Sequence, residues 1–227
     1  MESQIVDLAH FSLHEGEIQH ALGRVKVQDV DYADIYVEST VAESVSMEEG
    51  IVKRAVKSIS RGAGVRATAG EKTGFAFSDE LSKRDLEIAA DTARYIANSP
   101  QGDSPVPVTH RPQLSQNLYH VDRANTEIAT KDRVALLNMI DAEARKYDPR
   151  ISKVMASFNS EQKMIMVATT EGLLVGDIQP LSRLQVTCIA EDGTNRQVGS
   201  YGGGGRIGFS FYHEENRACE YAREAAR

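Results

Sequence analysis

The sequence has no tryptophan, only two cysteines, Cys188 and Cys219, and just 6% aromatic residues. Two cysteines so far apart do not make a disulfide framework, so the fold must rest on an apolar core. No run approaches the roughly 18 consecutive apolar residues of a membrane-spanning helix. The opening MESQIVDLAHFSLHEGE has neither a basic start nor a continuous apolar stretch, which argues against a signal peptide. Together these absences indicate a cytoplasmic protein that does not associate with membrane. Basic residues are also short: 26 Lys and Arg against 33 Asp and Glu give a net charge of −7, and no cluster stands out. A nucleic-acid surface needs a phosphate-neutralising patch or aromatic platforms interleaved with cations, so nucleic acid is not an expected partner.

What is present is ordinary for a globular protein with ample core: 227 residues, 41% hydrophobic and 26% charged. Ser12-Leu13-His14-Glu15 fits a capping box, opening a helix over about 13–27 with Ile18, Leu22 and Val25 on one face. Strand-like runs follow at 33–40, 43–48, 51–60, 64–68 and 73–77, with Glu49-Gly50 as a hairpin turn. Ser82 caps a second helix to about residue 98, turning Leu86, Ala89, Ala90, Ala93 and Ile96 towards the sheet. The Pro-rich stretch from Ser99 to Pro107 marks a boundary. Beyond it, a helix begins at Thr130, carries Val134, Leu137 and Ile140, and stops at Asp148-Pro149. A second strand set occupies 151–158, 163–169, 173–177, 181–190 and 196–201, and 213–227 is helical in composition.

The pattern predicts an α+β fold of two consecutive units of mainly antiparallel sheet with flanking helices. They are 1–98, a linker over 99–124, and 125–227. The final helix carries no Gly or Pro stop signal, so the chain reads as part of a larger protein. Its stripe of Ala218, Tyr221 and Ala225 is then expected to be exposed and to promote dimerisation.

Several local patterns imitate chemistry without completing it. Gly62-Ala63-Gly64-Val65-Arg66-Ala67 satisfies a dinucleotide fingerprint, but a turn and a strand follow it where a helix is required. Its glycines suit a tight β-hairpin instead. His14 and His20 stand six apart, which turns the second imidazole ~120° from the first on a helix, so they cannot form the one-turn zinc motif. His213 and Cys219 share that offset. His120-Val121-Asp122 lacks the second histidine of an iron site. Ser160-Glu161-Gln162-Lys163 and Lys72-Thr73-Gly74 match fragments of penicillin-recognising enzymes in reversed order and are expected in hairpin turns. Cys188 lies in an apolar strand and reads as a buried hydrophobe.

Gly202-Gly203-Gly204-Gly205 followed by Arg206 is the strongest local feature that remains. One reading is a flexible turn. The other is a strand edge whose bare backbone pairs with an extended peptide, with Arg206 placed to meet a carboxylate.

Four segments in order carry a resemblance. Asp31-Tyr32-Ala33-Asp34-Ile35-Tyr36-Val37 precedes the glycine-containing block RGAGVRATAGEKTGFAFSD at 61–79. ATTEGLLVGDIQPLSRLQV begins at Ala168 and GSYGGGGRIGFSF at Gly199. From about residue 30 onwards the chain resembles the N-terminal half of the TldD branch of the TldD/PmbA metallopeptidases. The resemblance implies a zinc-dependent peptidase that trims peptide substrates, including antibiotic precursors and an antitoxin. It also implies pairing with a PmbA (TldE) relative or a second copy. In that family an H-E-x-x-x-H segment and a later Cys hold the metal, and this sequence contains no H-E-x-x-x-H. The resemblance thus implies a part that holds substrate and pairs subunits, with no metal ligand and no activity of its own. A stand-alone peptide-binding or regulatory module is the alternative.

Overall fold

The computed structural model describes residues 6, 8–26, 29–97, 107–110, 121 and 123–227. Four helices, α1 (Glu15–Val25), α2 (Lys83–Ile96), α3 (Thr130–Tyr147) and α4 (Arg217–Ala226), accompany the strands of a mainly antiparallel sheet. Those strands are β1 (Tyr32–Glu48), β2 (Ile51–Ala69), β3 (Lys72–Ser78), β4 (Thr109–His110), β5 (Ile151–Thr169), β6 (Leu173–Asp192) and β7 (Asn195–Gly205). The order is β3-β2-β1-β5-β6-β4, with β7 also on β6. β4 runs parallel to β6. The fold is α+β, as the sequence indicates.

The main departure lies in the strands. β1, β2, β5 and β6 run for 17, 19, 19 and 20 residues, each joining two segments that composition separates. Polar residues mid-strand find partners or burial in place of a turn. Ser44 Oγ donates to Asn159 Oδ1 at 2.7 Å, and Ser160 and Gln162 are buried. Ser160-Glu161-Gln162-Lys163 therefore lies inside β5 and not in a hairpin turn. Pro180 sits within β6 in the stretch 175–181, where β4 has already left that side and β7 has yet to join it. A proline costs no ladder hydrogen bond at such a gap.

The chain divides into two compact units whose segments alternate along the sequence. One comprises Met1–Thr40, Ile59–Asn117 and Lys163–Ile178; the other comprises Val41–Ser58, Leu118–Gln162 and Gln179–Arg227. Each of the four long strands contributes to both. The 99–124 stretch lies largely outside the described residues.

In the first unit, Ile18, Leu22 and Val25 of α1 and Leu86, Ala90 and Ala93 of α2 bury against Ile35, Val65 and Ala67. Each fully buried Leu, Ile or Val contributes about 1.5–3 kcal/mol. α1 starts two residues later than expected: its N-cap is His14, whose N–H donates to Glu17 Oε2 at 2.8 Å, while Ser12 has φ 59°. Ser82 caps α2 as expected, accepting from the Asp85 N–H. Ile96 differs, since the last turn of α2 leaves it 51% exposed. α2 reaches the sheet because β3 carries Gly74 there; a Cβ on it would lie 1.9 Å from Ala93 O.

The second unit packs Leu136, Leu137 and Ile140 of α3 and Ala218, Ala222 and Ala225 of α4 around Phe158, Leu184 and Tyr212. Phe158 meets Phe209 and Tyr212 edge-on, each at 5.3 Å between centroids. The α4 stripe is thus covered by its own unit: Ala218 and Ala225 are buried, and the Tyr221 ring packs on Tyr201 at 5.2 Å. The stripe therefore does not offer the exposed apolar face expected to promote dimerisation.

Candidate functional site

The tetraglycine lies in β7 and not in a turn. Gly193 (φ 62°) opens the β6–β7 hairpin, and the register then sets Gln185 against Gly202, Leu184 against Gly203, Arg183 against Gly204 and Ser182 against Gly205. Since the two-residue hairpin closes on the bonded pair Asp192–Asn195, alternation turns the backbone groups of Gly202 and Gly204 outward. Among the described residues that outer edge has no strand partner. Close packing also demands the missing side chains. A Cβ on Gly203 would sit 2.4 Å from Tyr221 Oη of α4, and one on Gly204 would sit 2.0 Å from Ser182 O. Arg206 follows immediately, exposed, with Nη1 3.4 Å from Gln179 Oε1. All five residues named from sequence therefore gather at one strand end.

A cavity of about 360 Å³ adjoins this end within the same unit. Ser182 and Arg183, the register partners of Gly205 and Gly204, form part of its wall, with Glu43, Asn159, Ser160 and Leu181. Behind it lies a buried charge cluster. Arg133 of α3 pairs with Glu43, whose other oxygen is 3.0 Å from Lys57 Nζ, and Arg133 Nη2 also donates to Asn125 O at 2.7 Å. Asn125 Nδ2 and Ser182 Oγ both donate to Ile207 O at 3.0 Å, tying the chain beyond Arg206 to this wall. Ser160 Oγ and Gln162 Oε1 are buried without a hydrogen-bond partner. Sequence reasoning missed this cavity. The one signal was period-two spacing of Phe158, Ser160 and Gln162 across an apparent turn.

The metal-type residues do not converge. Among the described residues no three of His, Cys, Asp and Glu come together to hold an ion. His20 Nε2 faces Glu87 Oε1 at 3.2 Å, and the His213 ring packs on Phe209 at 5.0 Å. Burial pushes the Cys188 thiol up to about 11, and burial raises that of Cys219 too, which disfavours the thiolate that a metal needs. His120-Val121-Asp122 falls outside the described residues apart from Val121.

The glycine-containing block forms the hairpin expected of it, with Gly70 at φ 58° in the two-residue turn closed by Ala69 and Lys72. It is clamped to the Asp31–Val37 motif: Arg66 Nε donates to Asp34 Oδ2 at 2.8 Å and the Gly70 N–H to Asp31 Oδ2 at 2.7 Å. Two motifs far apart in sequence thus form one structure.

Comparison with known proteins agrees. The family model described as PmbA/TldA metallopeptidase domain 1 matches residues 33–97, and that of the central domain matches 124–227. The Metalloprotease TldD homolog of Haemophilus influenzae is 35% identical over 204 residues, 88% of this chain and 42% of the relative. The chain thus spans about two-fifths of that relative's length. Among solved structures, a candidate modulator of DNA gyrase from Bacteroides thetaiotaomicron aligns over 97% of this chain and 50% of its own, with TM-score 0.69 and 12% identity. TldE from Thermococcus kodakarensis aligns over 86% and 43%, with TM-score 0.60 and 18% identity. Both likenesses concern the fold. On two successive family domains and a relative at 35% identity, this chain belongs to the PmbA/TldD family of metallopeptidases.

Proposed function

We propose that this chain is the non-metal-binding part of a TldD-like zinc metallopeptidase, holding peptide substrate and pairing with a second subunit. The observation that carries this reading is the match of 88% of the chain to 42% of a metalloprotease relative. In this reading the zinc ligands lie outside residues 1–227. Peptide lies along the outer edge of β7 at Gly202 and Gly204, with Arg206 meeting an acidic group, and the second subunit is a PmbA/TldE-like protein or another copy. The division into 1–98, 99–124 and 125–227 belongs to the same proposal and is supported by the family-domain bounds. So does a cytoplasmic setting; among the described residues no helix is long and apolar enough to cross a membrane.

The test compares the 227-residue chain with a longer form that includes an H-E-x-x-x-H segment. Zinc by elemental analysis and cleavage of a quenched fluorescent peptide are measured on both. The short chain should hold less than about a tenth of an equivalent of zinc and cleave nothing, while the long form holds about one equivalent and cleaves the peptide. Stoichiometric zinc on the short chain overturns the reading, and a longer form inert towards every peptide tried favours a binding module.

A further inference from the structure

We propose that the outer edge of β3 is a second docking edge, one that takes an extended segment of a partner polypeptide by strand addition. The segment would carry apolar side chains at alternate positions. This is independent of the substrate reading for β7, since it concerns the other unit and invokes no cleavage. Because the β2–β3 hairpin closes on the bonded pair Ala69–Lys72, the backbone groups of Lys72, Gly74, Ala76 and Ser78 face β2. Those of Thr73, Phe75 and Phe77 face away, and among the described residues no strand meets them. Natural edges are protected by lysine, proline or a bulge. Here the only charge within Lys72–Ser78 is Lys72 at its start, and there is no proline.

The side chains point the same way. Of six phenylalanines, Phe75 and Phe77 are 58% and 72% exposed, on one face of this edge strand. Phe75 reaches over Gly64, whose added Cβ would be 3.0 Å from its ring. The two rings wall a hollow of about 380 Å³ with Tyr36, Gly62, Gly64 and Asp79. An added antiparallel strand would bond to Thr73, Phe75 and Phe77 through residues whose side chains lie on that same face. Backbone bonding would supply affinity, and alternate apolar side chains would supply selectivity. A second copy fits less well. Two-fold pairing centred on Phe75 sets Glu71 of each copy against Asp79 of the other, and like charges directly opposite are destabilising. One seven-residue edge is also a fraction of the ~800 Å² per partner that a stable dimer buries.

The probe is a fluorescein-labelled, blocked heptapeptide with lysine at both ends and valine, phenylalanine and valine at positions two, four and six. Anisotropy with the 227-residue chain should show saturable binding. Affinity should fall at least tenfold with Phe77→Ser, whose exposed position lets the variant fold. It should fall as far when the peptide is N-methylated at position four, which removes a hydrogen bond to β3 without touching the protein. No binding, or a change of less than threefold in either arm, overturns the proposal. So does a dimer in sedimentation that Phe77→Ser abolishes, because the edge then belongs to a second copy.

Discussion

Gly204 and Gly205 are neighbours at the end of β7, yet the structure gives them opposite responses to a methyl group. A Cβ on Gly204 would lie 2.0 Å from Ser182 O and 2.7 Å from Arg183 Cα, both backbone atoms of the paired strand. Since favourable contacts lie near 3.5–4.0 Å, one strand must shift by roughly an ångström or more. Overpacking of that kind costs about 1–3 kcal/mol. A Cβ added to Gly205 would meet no atom within 4 Å, and φ there is not positive. Alanine there restricts the unfolded chain without straining the folded one, which stabilises by about 0.4–1 kcal/mol. Gly204→Ala and Gly205→Ala should therefore differ by about 1.4–4 kcal/mol in urea denaturation, with each kcal/mol worth about 2–4 °C in Tm. Equal stability of the two variants would refute the register in which β7 pairs with β6. The same contrast isolates the proposed function. In the proposed longer form, Gly205→Val adds bulk beside the outward-facing Gly204 and should weaken peptide binding at unchanged stability. Arg206→Ala should weaken acidic peptides about ten- to a hundredfold relative to neutral ones, the worth of a charge-assisted hydrogen bond at about 1.5–3 kcal/mol. If both stable variants bind as tightly as the parent, the tetraglycine is a packing device alone.

Two further outcomes follow from buried groups. The Glu43 and Arg133 side chains are 9% and 3% exposed, so Glu43→Ala strands a buried guanidinium and should cost about 3–5 kcal/mol by calorimetry. The double variant Glu43→Leu/Arg133→Met should recover most of that loss, and a single variant as stable as the parent would mean that the pair is not buried. Burial lifts the Cys188 thiol to about 11, so its thiolate is scarce at pH 8, and iodoacetamide should label it only after unfolding. A raised acid pKa favours the protonated, folded form below the unfolded value near 8.5, and that stabilisation is lost as pH rises through about 11. Fast labelling of the native protein at pH 8, mapped to Cys188 by mass spectrometry, would contradict its placement.

By itself the sequence determined what local physics decides. Period-3.6 apolar faces gave the helices, and Leu86, Ala89, Ala90 and Ala93 pack as that spacing requires. Glu49-Gly50 and Gly70 made tight turns because the backbone there adopts positive φ. The family resemblance was legible because its motifs keep their order along the chain. Tertiary structure decided whatever depends on a distant neighbour. Whether Asn159 breaks a strand depends on Ser44, which lies 115 residues away in sequence, and whether α4 shows an apolar face depends on β7 and α3. The cavity beside Ser182 and the Glu43–Arg133 pair bring together residues of strands and a helix far apart in sequence, with β1 lying next to β5 in the sheet. No local pattern encodes that adjacency: a strand's own residues set its period and its faces, while the strand across the hydrogen bonds decides where it continues and what it buries.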